Sequence, residues 1–124
     1  MTGLTHPAEG GCRCGRTRFR VTRPPLLNLA CHCTGCQQMS ASAFSLSISV
    51  PTDGFELLKG EPVIGGLHGA VSRHHHCDWC KSWVFTRVEP DLGFVNVRAT
   101  MFVVHAGFEP LREFWTSEKV PWAP

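Results

Sequence analysis

Apolar and polar residues alternate most strictly over Phe44-Ser45-Leu46-Ser47-Ile48-Ser49-Val50. A period of two is the mark of a strand whose two faces meet different surroundings. The segment therefore predicts a half-buried strand, with Leu46, Ile48 and Val50 on a dry face and the serines on a wet one. Pro51 and the Asp53-Gly54 pair end it in a turn. Thr17 to Val21 alternates more weakly, with Phe19 and Val21 inward, and stops before Pro24-Pro25. Phe55 to Leu58, Ser82 to Val88 and Phe94 to Val104 are further strand candidates, rich in Val, Phe and Trp. Gly65-Gly66 and Glu89-Pro90-Asp91 read as turns. A short helix fits Cys36 to Ser40, and Leu111 to Trp115 could add one helical turn. The pattern predicts a mainly β chain of short strands, its loops carrying the cysteines.

At 124 residues the chain is expected to form a single domain, residues 1–124, with no linker, repeat or low-complexity segment. Its composition, 43% hydrophobic and 18% charged, excludes a disordered chain. The formal charge of +2 counts every cysteine as a neutral thiol, and seven thiolates around two dications would turn it into −1. The weak basicity thus identifies no partner. No block of Lys and Arg interleaved with aromatics suggests nucleic acid, although Arg16, Arg18 and Arg20 could line one strand face. No apolar run approaches the ~18 residues of a membrane span. The stretch MTGLTHPAEGG lacks the basic-then-apolar pattern of a signal peptide, so the expectation is a cytoplasmic protein. In that reducing compartment, clustered cysteines mean metal or redox chemistry more often than disulfides.

The seven cysteines fall into three groups: Cys12 and Cys14; Cys31, Cys33 and Cys36; Cys77 and Cys80. Short C-x-C and C-x2-C segments can place two thiolates on one tetrahedral zinc. Gly11 and Gly15 bracket the first pair and would let the backbone turn tightly enough to aim both sulfurs at one point. Spacing alone leaves two partitions open. Cys33-x2-Cys36 with Cys77-x2-Cys80 looks like a four-cysteine ribbon, which strands Cys12, Cys14 and Cys31. Alternatively, Cys12 and Cys14 join Cys77 and Cys80, leaving Cys31, Cys33 and Cys36 as a trio. Structural zinc sites are closed, whereas catalytic ones keep three protein ligands and an open fourth position.

The stretches GGCRCGRTRF at 10–19 and CHCTGCQQMSASAF at 31–44, the C-x2-C at Cys77 and Cys80, and WTSEKVPW at 115–122 carry a family likeness. Together they resemble the glutathione-dependent formaldehyde-activating enzymes and their relatives, which include centromere protein V. The matches run from about residue 10 to residue 122. In place of the family's usual aromatic residue before the last C-x2-C and glycine after it, this chain has His76 and Lys81. The resemblance implies a small zinc-stabilised fold of short, twisted sheets, shared with a Rab-GTPase accessory factor of the Mss-four type, and two zinc ions per chain. It assigns Cys12, Cys14, Cys77 and Cys80 to a structural zinc and Cys31, Cys33 and Cys36 to a catalytic one. The implied activity is that of a carbon–sulfur lyase, joining formaldehyde to glutathione as S-hydroxymethylglutathione. The alternative from another class is a non-catalytic zinc module that binds a protein. A third reading is a thiol-redox or zinc-carrier role for the trio.

An open position on a thiolate-bound zinc can capture a thiol such as glutathione, whose free pKa lies near ~8.5, and remove its proton. Held beside an aldehyde, that sulfur could add to the carbonyl carbon, and the reverse step would cleave the hemithioacetal. Zinc is expected mainly to capture and orient the sulfur, because three thiolates blunt its Lewis acidity. His32, between two ligands, is expected to turn its ring away from the metal and serve the structure. Of His74, His75 and His76, strand alternation lets only His74 and His76 share a face. Arg13 and Arg73 could pair with glutathione carboxylates, Ser40 and Ser42 could hydrogen-bond a substrate, and Trp79, Trp83, Trp115 and Trp122 are expected in core or rim packing. No general base stands out.

Overall fold

The structure is a computed structural model that describes residues 7–65, 71–103 and 112–123. The described residues form ten strands: β1 (Ala8–Gly11), β2 (Arg18–Val21), β3 (Leu27–Cys31), β4 (Ser45–Pro51), β5 (Phe55–Lys59), β6 (Val63–Gly65), β7 (Ser72–His76), β8 (Trp83–Val88), β9 (Phe94–Arg98) and β10 (Arg112–Phe114), of which β2, β4, β5, β8 and β9 fall on the expected segments. The single α-helix among the described residues, α1 (Thr34–Ser40), follows β3 directly. Strands β1-β2-β5 form a small antiparallel sheet, and a larger sheet runs in the order β10-β3-β4-β9-β8-β7-β6. Only β10, lying parallel to β3, breaks the antiparallel pattern of the larger sheet.

The two sheets bury one face of each against the other. Phe19, Val21 and Phe55 of the small sheet meet Ile48, Val50, Val84, Phe85, Val95 and Val97 of the large one. Aromatic contacts knit this layer: Phe55 lies 4.8 Å from Phe85 between ring centroids, and Phe19 meets Phe102 edge-on at 5.1 Å. Phe19 and Val21 point inward as expected. Arg20 lies on the other face of β2, paired with Glu9 at 3.2 Å.

The serines of β4 do not face water. Ser45, Ser47 and Ser49 are only 3%, 1% and 6% exposed. The register explains why. Leu27, Ser49, Asn96, Thr86 and His74 stand side by side across five strands, with Leu29, Ser47 and Arg98 in the next row and Cys31 beside Ser45 in a third. These side chains are the second face of the large sheet, and they line a cavity instead of a solvated surface. Alternation sets the faces of a strand but not what covers each face.

Two further expectations change. The segment ending at Trp115 is not helical: Arg112–Phe114 is extended and pairs with Leu29 to Cys31, while Leu111 lies outside the described residues. The run beginning at Phe94 leaves the sheet at Arg98 and turns through the 3-10 segment Ala99–Met101; Val104, its expected end, lies outside the described residues. Gly65 closes strand β6, and Gly66 lies outside the described residues.

Candidate metal centres

The turn between β1 and β2 carries Cys12 and Cys14, and the turn between β7 and β8 carries Cys77 and Cys80. Each is tight: Gly15 N–H donates to the Cys12 carbonyl at 3.2 Å, and Lys81 N–H donates to the Cys77 carbonyl at 3.0 Å. Glycine is needed at both flanks of the first turn. A Cβ on Gly11 would sit 2.2 Å from the Thr17 carbonyl oxygen, and Gly15 has φ +83°, in the left-handed region. One turn belongs to the small sheet and the other to the large, so the four sulfurs meet across the seam between them.

All four sulfurs lie within 4.8 Å of one another. Cys14 Sγ is 3.5 Å from Cys12 Sγ and 3.6 Å from Cys77 Sγ. A tetrahedron with zinc–sulfur bonds of about 2.3 Å has edges of about 3.8 Å, so this cluster fits that ion with little adjustment. Backbone N–H groups point at the sulfurs, as a thiolate requires: Thr17 N–H at 3.3 Å from Cys12, Trp79 N–H at 3.4 Å and Cys80 N–H at 3.5 Å from Cys77. Burial pushes the Cys80 thiol up, but hydrogen bonds from the Ser82 hydroxyl and N–H outweigh it and bring its pKa down to about 5.

Cys31, Cys33 and Cys36 form a second group within the same 4.8 Å limit, and no fourth ligand joins it among the described residues. The ribbon pairing of Cys33 and Cys36 with Cys77 and Cys80 is thereby overturned. Local structure brings the trio together. Cys31 ends β3, Cys33 is the N-cap of α1 with its sulfur accepting from Cys36 N–H at 3.3 Å, and Cys36 sits in the first helical turn. The hydrogen bond with the Cys31 thiol is the largest influence lowering Cys36, against burial and with help from Ser45, Cys33 and the Arg98 charge, to about 5. Cys31 is driven up by the same bond, seen from its other end. Of the two, Cys36 is thus the more acidic thiol and Cys31 the less.

The carboxy-terminal segment straps this loop in place. Glu118 Oε1 accepts from Thr34 N–H at 2.7 Å, at the start of α1. Gln37 Nε2 donates to the His32 carbonyl at 2.7 Å and to the Glu118 carbonyl at 2.9 Å. His32 is buried between Phe44 and Glu113, with Nε2 2.8 Å from the carboxylate, and so serves packing as expected. Ser40 donates to the Cys36 carbonyl at 2.6 Å.

The trio opens on a cavity of about 510 Å³ over the second face of the large sheet, where Cys31 and Cys36 form part of the wall. Ser45, Ser47, Ser49, Asn96, Thr86 and Arg98 supply its polar floor, and Leu27, Leu29, Phe94 and Trp115 an apolar side. Thr86 Oγ1 accepts from Trp83 Nε1 at 2.9 Å and lies 2.9 Å from His74 Nδ1. Of the histidine run, only His74 lines the cavity. His75 stacks on Phe85 at 4.6 Å, its pKa lowered to about 4 by burial first and then by Arg87, and His76 lies over Trp83. Arg13 and Arg73 lie off the cavity wall, and Arg73 faces Glu89 at 3.9 Å. Trp83 packs in the core and Trp115 on the cavity rim, both within the expected core or rim packing, Trp79 lies exposed under Arg16, and Trp122 is exposed.

Sequence reasoning missed Arg98, Asn96 and Thr86. A signal existed, because Asn96 and Arg98 stand at period two inside an otherwise apolar strand, as the serines do in β4.

The sequence model described as glutathione-dependent formaldehyde-activating enzyme matches residues 7–118. No curated protein matches the chain. Among solved structures, a crystal structure of a Rhodobacter sphaeroides protein superposes with a TM-score of 0.61 at 14% identity, covering 75% of this chain and 85% of that one. At that identity the likeness speaks for the fold alone. No helix among the described residues is long and apolar enough to cross a membrane.

Proposed function

From the premise that the chain belongs to the glutathione-dependent formaldehyde-activating enzyme family, we propose that it is a zinc-dependent carbon–sulfur lyase that makes or cleaves a thiol–aldehyde adduct of the S-hydroxymethylglutathione type. Membership implies glutathione-dependent formaldehyde activation and a glutathione-related small-molecule substrate. Cys12, Cys14, Cys77 and Cys80 hold a structural zinc in this reading, and Cys31, Cys33 and Cys36 a catalytic one. The observation that carries it is the trio itself: three converging sulfurs, no fourth ligand among the described residues, and a cavity on the open side.

Cys31, Cys33 and Cys36 would hold the catalytic zinc, which when bound would supply a site for a fourth sulfur and lower that thiol's pKa. The chain's residues do the rest. Cys31 and Cys36 face the cavity, so the substrate sulfur arrives against its wall. The apolar side of Leu27, Leu29 and Phe94 excludes water from the adduct, while the serine floor offers hydroxyls to its oxygen. None of the chain's other lysines and arginines joins Arg98 on the wall, so the carboxylates of glutathione stay at the mouth and only the cysteinyl end enters. Fixing sulfur and carbonyl together removes the entropy of their encounter, worth up to about 7–11 kcal/mol in the best intramolecular cases.

The test is exchange spectroscopy of glutathione and formaldehyde with their adduct, with and without protein. Interconversion faster than the uncatalysed background, abolished by Cys33→Ser, supports the proposal. A background rate with a fully zinc-loaded protein refutes it and leaves the non-catalytic module.

A further inference from the structure

Among the described residues, Arg98 is the single permanently charged side chain on the cavity wall. It is 8% exposed, and its Nε has no hydrogen-bond partner. Its guanidinium carbon lies 3.9 Å over the ring of Trp83, and among the described residues no carboxylate pairs with it. Burying a cation without a carboxylate is costly, and such groups survive where something else answers the charge. Burial lowers its pKa to about 10, opposed by the thiols of Cys36 and Cys31, so it stays cationic at neutral pH.

The placement is specific. Arg98 stands beside Ser47 across the β4–β9 pair, one row from Ser45 and Cys31. The other eleven lysines and arginines lie off the wall, and no lysine or arginine falls outside the described residues. Three thiolates and a zinc dication sum to −1, which one guanidinium neutralises. That counter-charge role would be met by any buried cation and leaves the donor fork idle. A second demand on the site does need the fork: when sulfur adds to a carbonyl, the oxygen becomes negative.

We propose that Arg98 is a catalytic residue whose guanidinium donates to the carbonyl oxygen of the aldehyde and holds the charge that develops there. The proposal rests on the thiol–aldehyde reading above. In the forming direction the thiol proton passes to solvent, the sulfur–carbon bond forms, and the carbonyl π pair moves onto oxygen. Arg98 stabilises that alkoxide until solvent protonates it to the hydroxyl. Cleavage is the same sequence reversed: the hydroxyl loses its proton, the carbonyl re-forms, and the sulfur leaves with its bonding pair to recover a proton. Nothing is oxidised or reduced. The ground-state carbonyl is neutral, so the guanidinium binds the transition state more strongly than the substrate and acts on kcat.

Arg98→Met and Arg98→Lys test this in zinc-loaded protein, with wild type alongside. Adduct exchange with glutathione and formaldehyde gives kcat and KM. Titration of the cobalt-substituted proteins with glutathione reads thiol binding from the sulfur-to-metal charge-transfer band, independently of turnover. R98M should lower kcat about 10²–10³-fold, the usual cost of one such donor, with the titration midpoint and KM for glutathione within about twofold. R98K, which keeps the charge without the fork, should fold even where R98M does not and lose about tenfold in kcat. An unchanged kcat in a folded variant, or a loss confined to KM and matched by weaker titration, overturns the catalytic role in favour of mere counter-charge. A silent wild type whose cobalt form still binds glutathione overturns the thiol–aldehyde reading, and this role with it.

Discussion

Replacing one ligand in each cysteine cluster should have opposite consequences for the fold. Cys14 and Cys77, in van der Waals contact, are 63 residues apart in sequence, whereas the trio spans six residues, Cys31 to Cys36. Treating each metal clip as a cross-link, the entropy removed from the unfolded chain is worth about 4 kcal/mol for the long loop and about 2 kcal/mol for the short one. Binding adds to this, since a structural zinc contributes about 10–16 kcal/mol in isolated modules, comparable to the entire net stability of a domain, about 5–15 kcal/mol. Cys77 is buried where the two sheets meet, so serine there would also leave a polar group in the core. Cys33→Ser is gentler for a local reason: serine is a good N-cap and can keep the bond now made from Cys36 N–H to the Cys33 sulfur.

The assay is metal content with thermal unfolding by circular dichroism. Near this chain length each kcal/mol moves Tm by about 3–6 °C. Cys33→Ser should carry one zinc in place of two, with Tm lowered by less than about 10 °C. Cys77→Ser should fall by at least about 15 °C or show no cooperative transition. A Cys33→Ser protein that unfolds, or a Cys77→Ser protein melting within a few degrees of wild type, refutes the division into staple and working site.

Two smaller predictions follow from the same turns. Lys81 has φ +63°, the left-handed conformation that glycine adopts freely, and its Nζ–H bond to the Asp78 carbonyl at 2.6 Å offsets part of that strain. Lys81→Gly should therefore stabilise the protein by about 1 kcal/mol in chemical denaturation; a loss of that size would show that the lysine bond outweighs the backbone. In metal-depleted protein at pH 6–7, brief alkylation should label Cys36 before Cys31, because the hydrogen bond they share lowers Cys36 to about 5 and raises Cys31. Peptide mapping reads the order, the preference for Cys36 should fade below pH 5, and equal labelling of the two at neutral pH would refute that order of acidity.

What the sequence made legible is what short-range chemistry dictates. The alternation of β4, the inward Phe19 and Val21, and the helix after the cysteines all appear in the structure, because period and capping are local properties. The partition of the sulfurs was open on spacing alone, since a C-x2-C turn looks the same whichever partner it meets. It is settled by which hairpins the sheet order brings together. Tertiary pairing also decided the two reversals. Arg112–Phe114 is extended because β3 offers it an edge, and the β4 serines are buried because the sheet's second face forms the floor of a cavity. For Arg98 the alternation with Asn96 marked a polar face of β9, but only the register, which places it beside Ser47, shows that this face lies behind the trio and not in solvent.

In the proposed reading the two clusters differ in what they ask of the chain, and that difference would permit a vacant corner at only one of them. Four sulfurs drawn from two sheets would, on one ion, tie the seam beside its hydrophobic core, so a missing ligand there would weaken that tie. The trio is positioned by the end of β3, the N-cap of α1 and the strap of Glu118 and Gln37, whose hydrogen bonds involve no metal. Its coordination energy is not needed to define the fold, so a fourth position can be left for a substrate. The polar floor beneath it can likewise be chosen for chemistry: small serines make room where larger apolar residues would fill the cavity, and a buried arginine is tolerable because thiolates answer its charge. By this reasoning a second-face residue such as Ser47 tolerates change in the fold better than Val97 on the core face of the neighbouring strand, because the one borders open space and the other packed side chains.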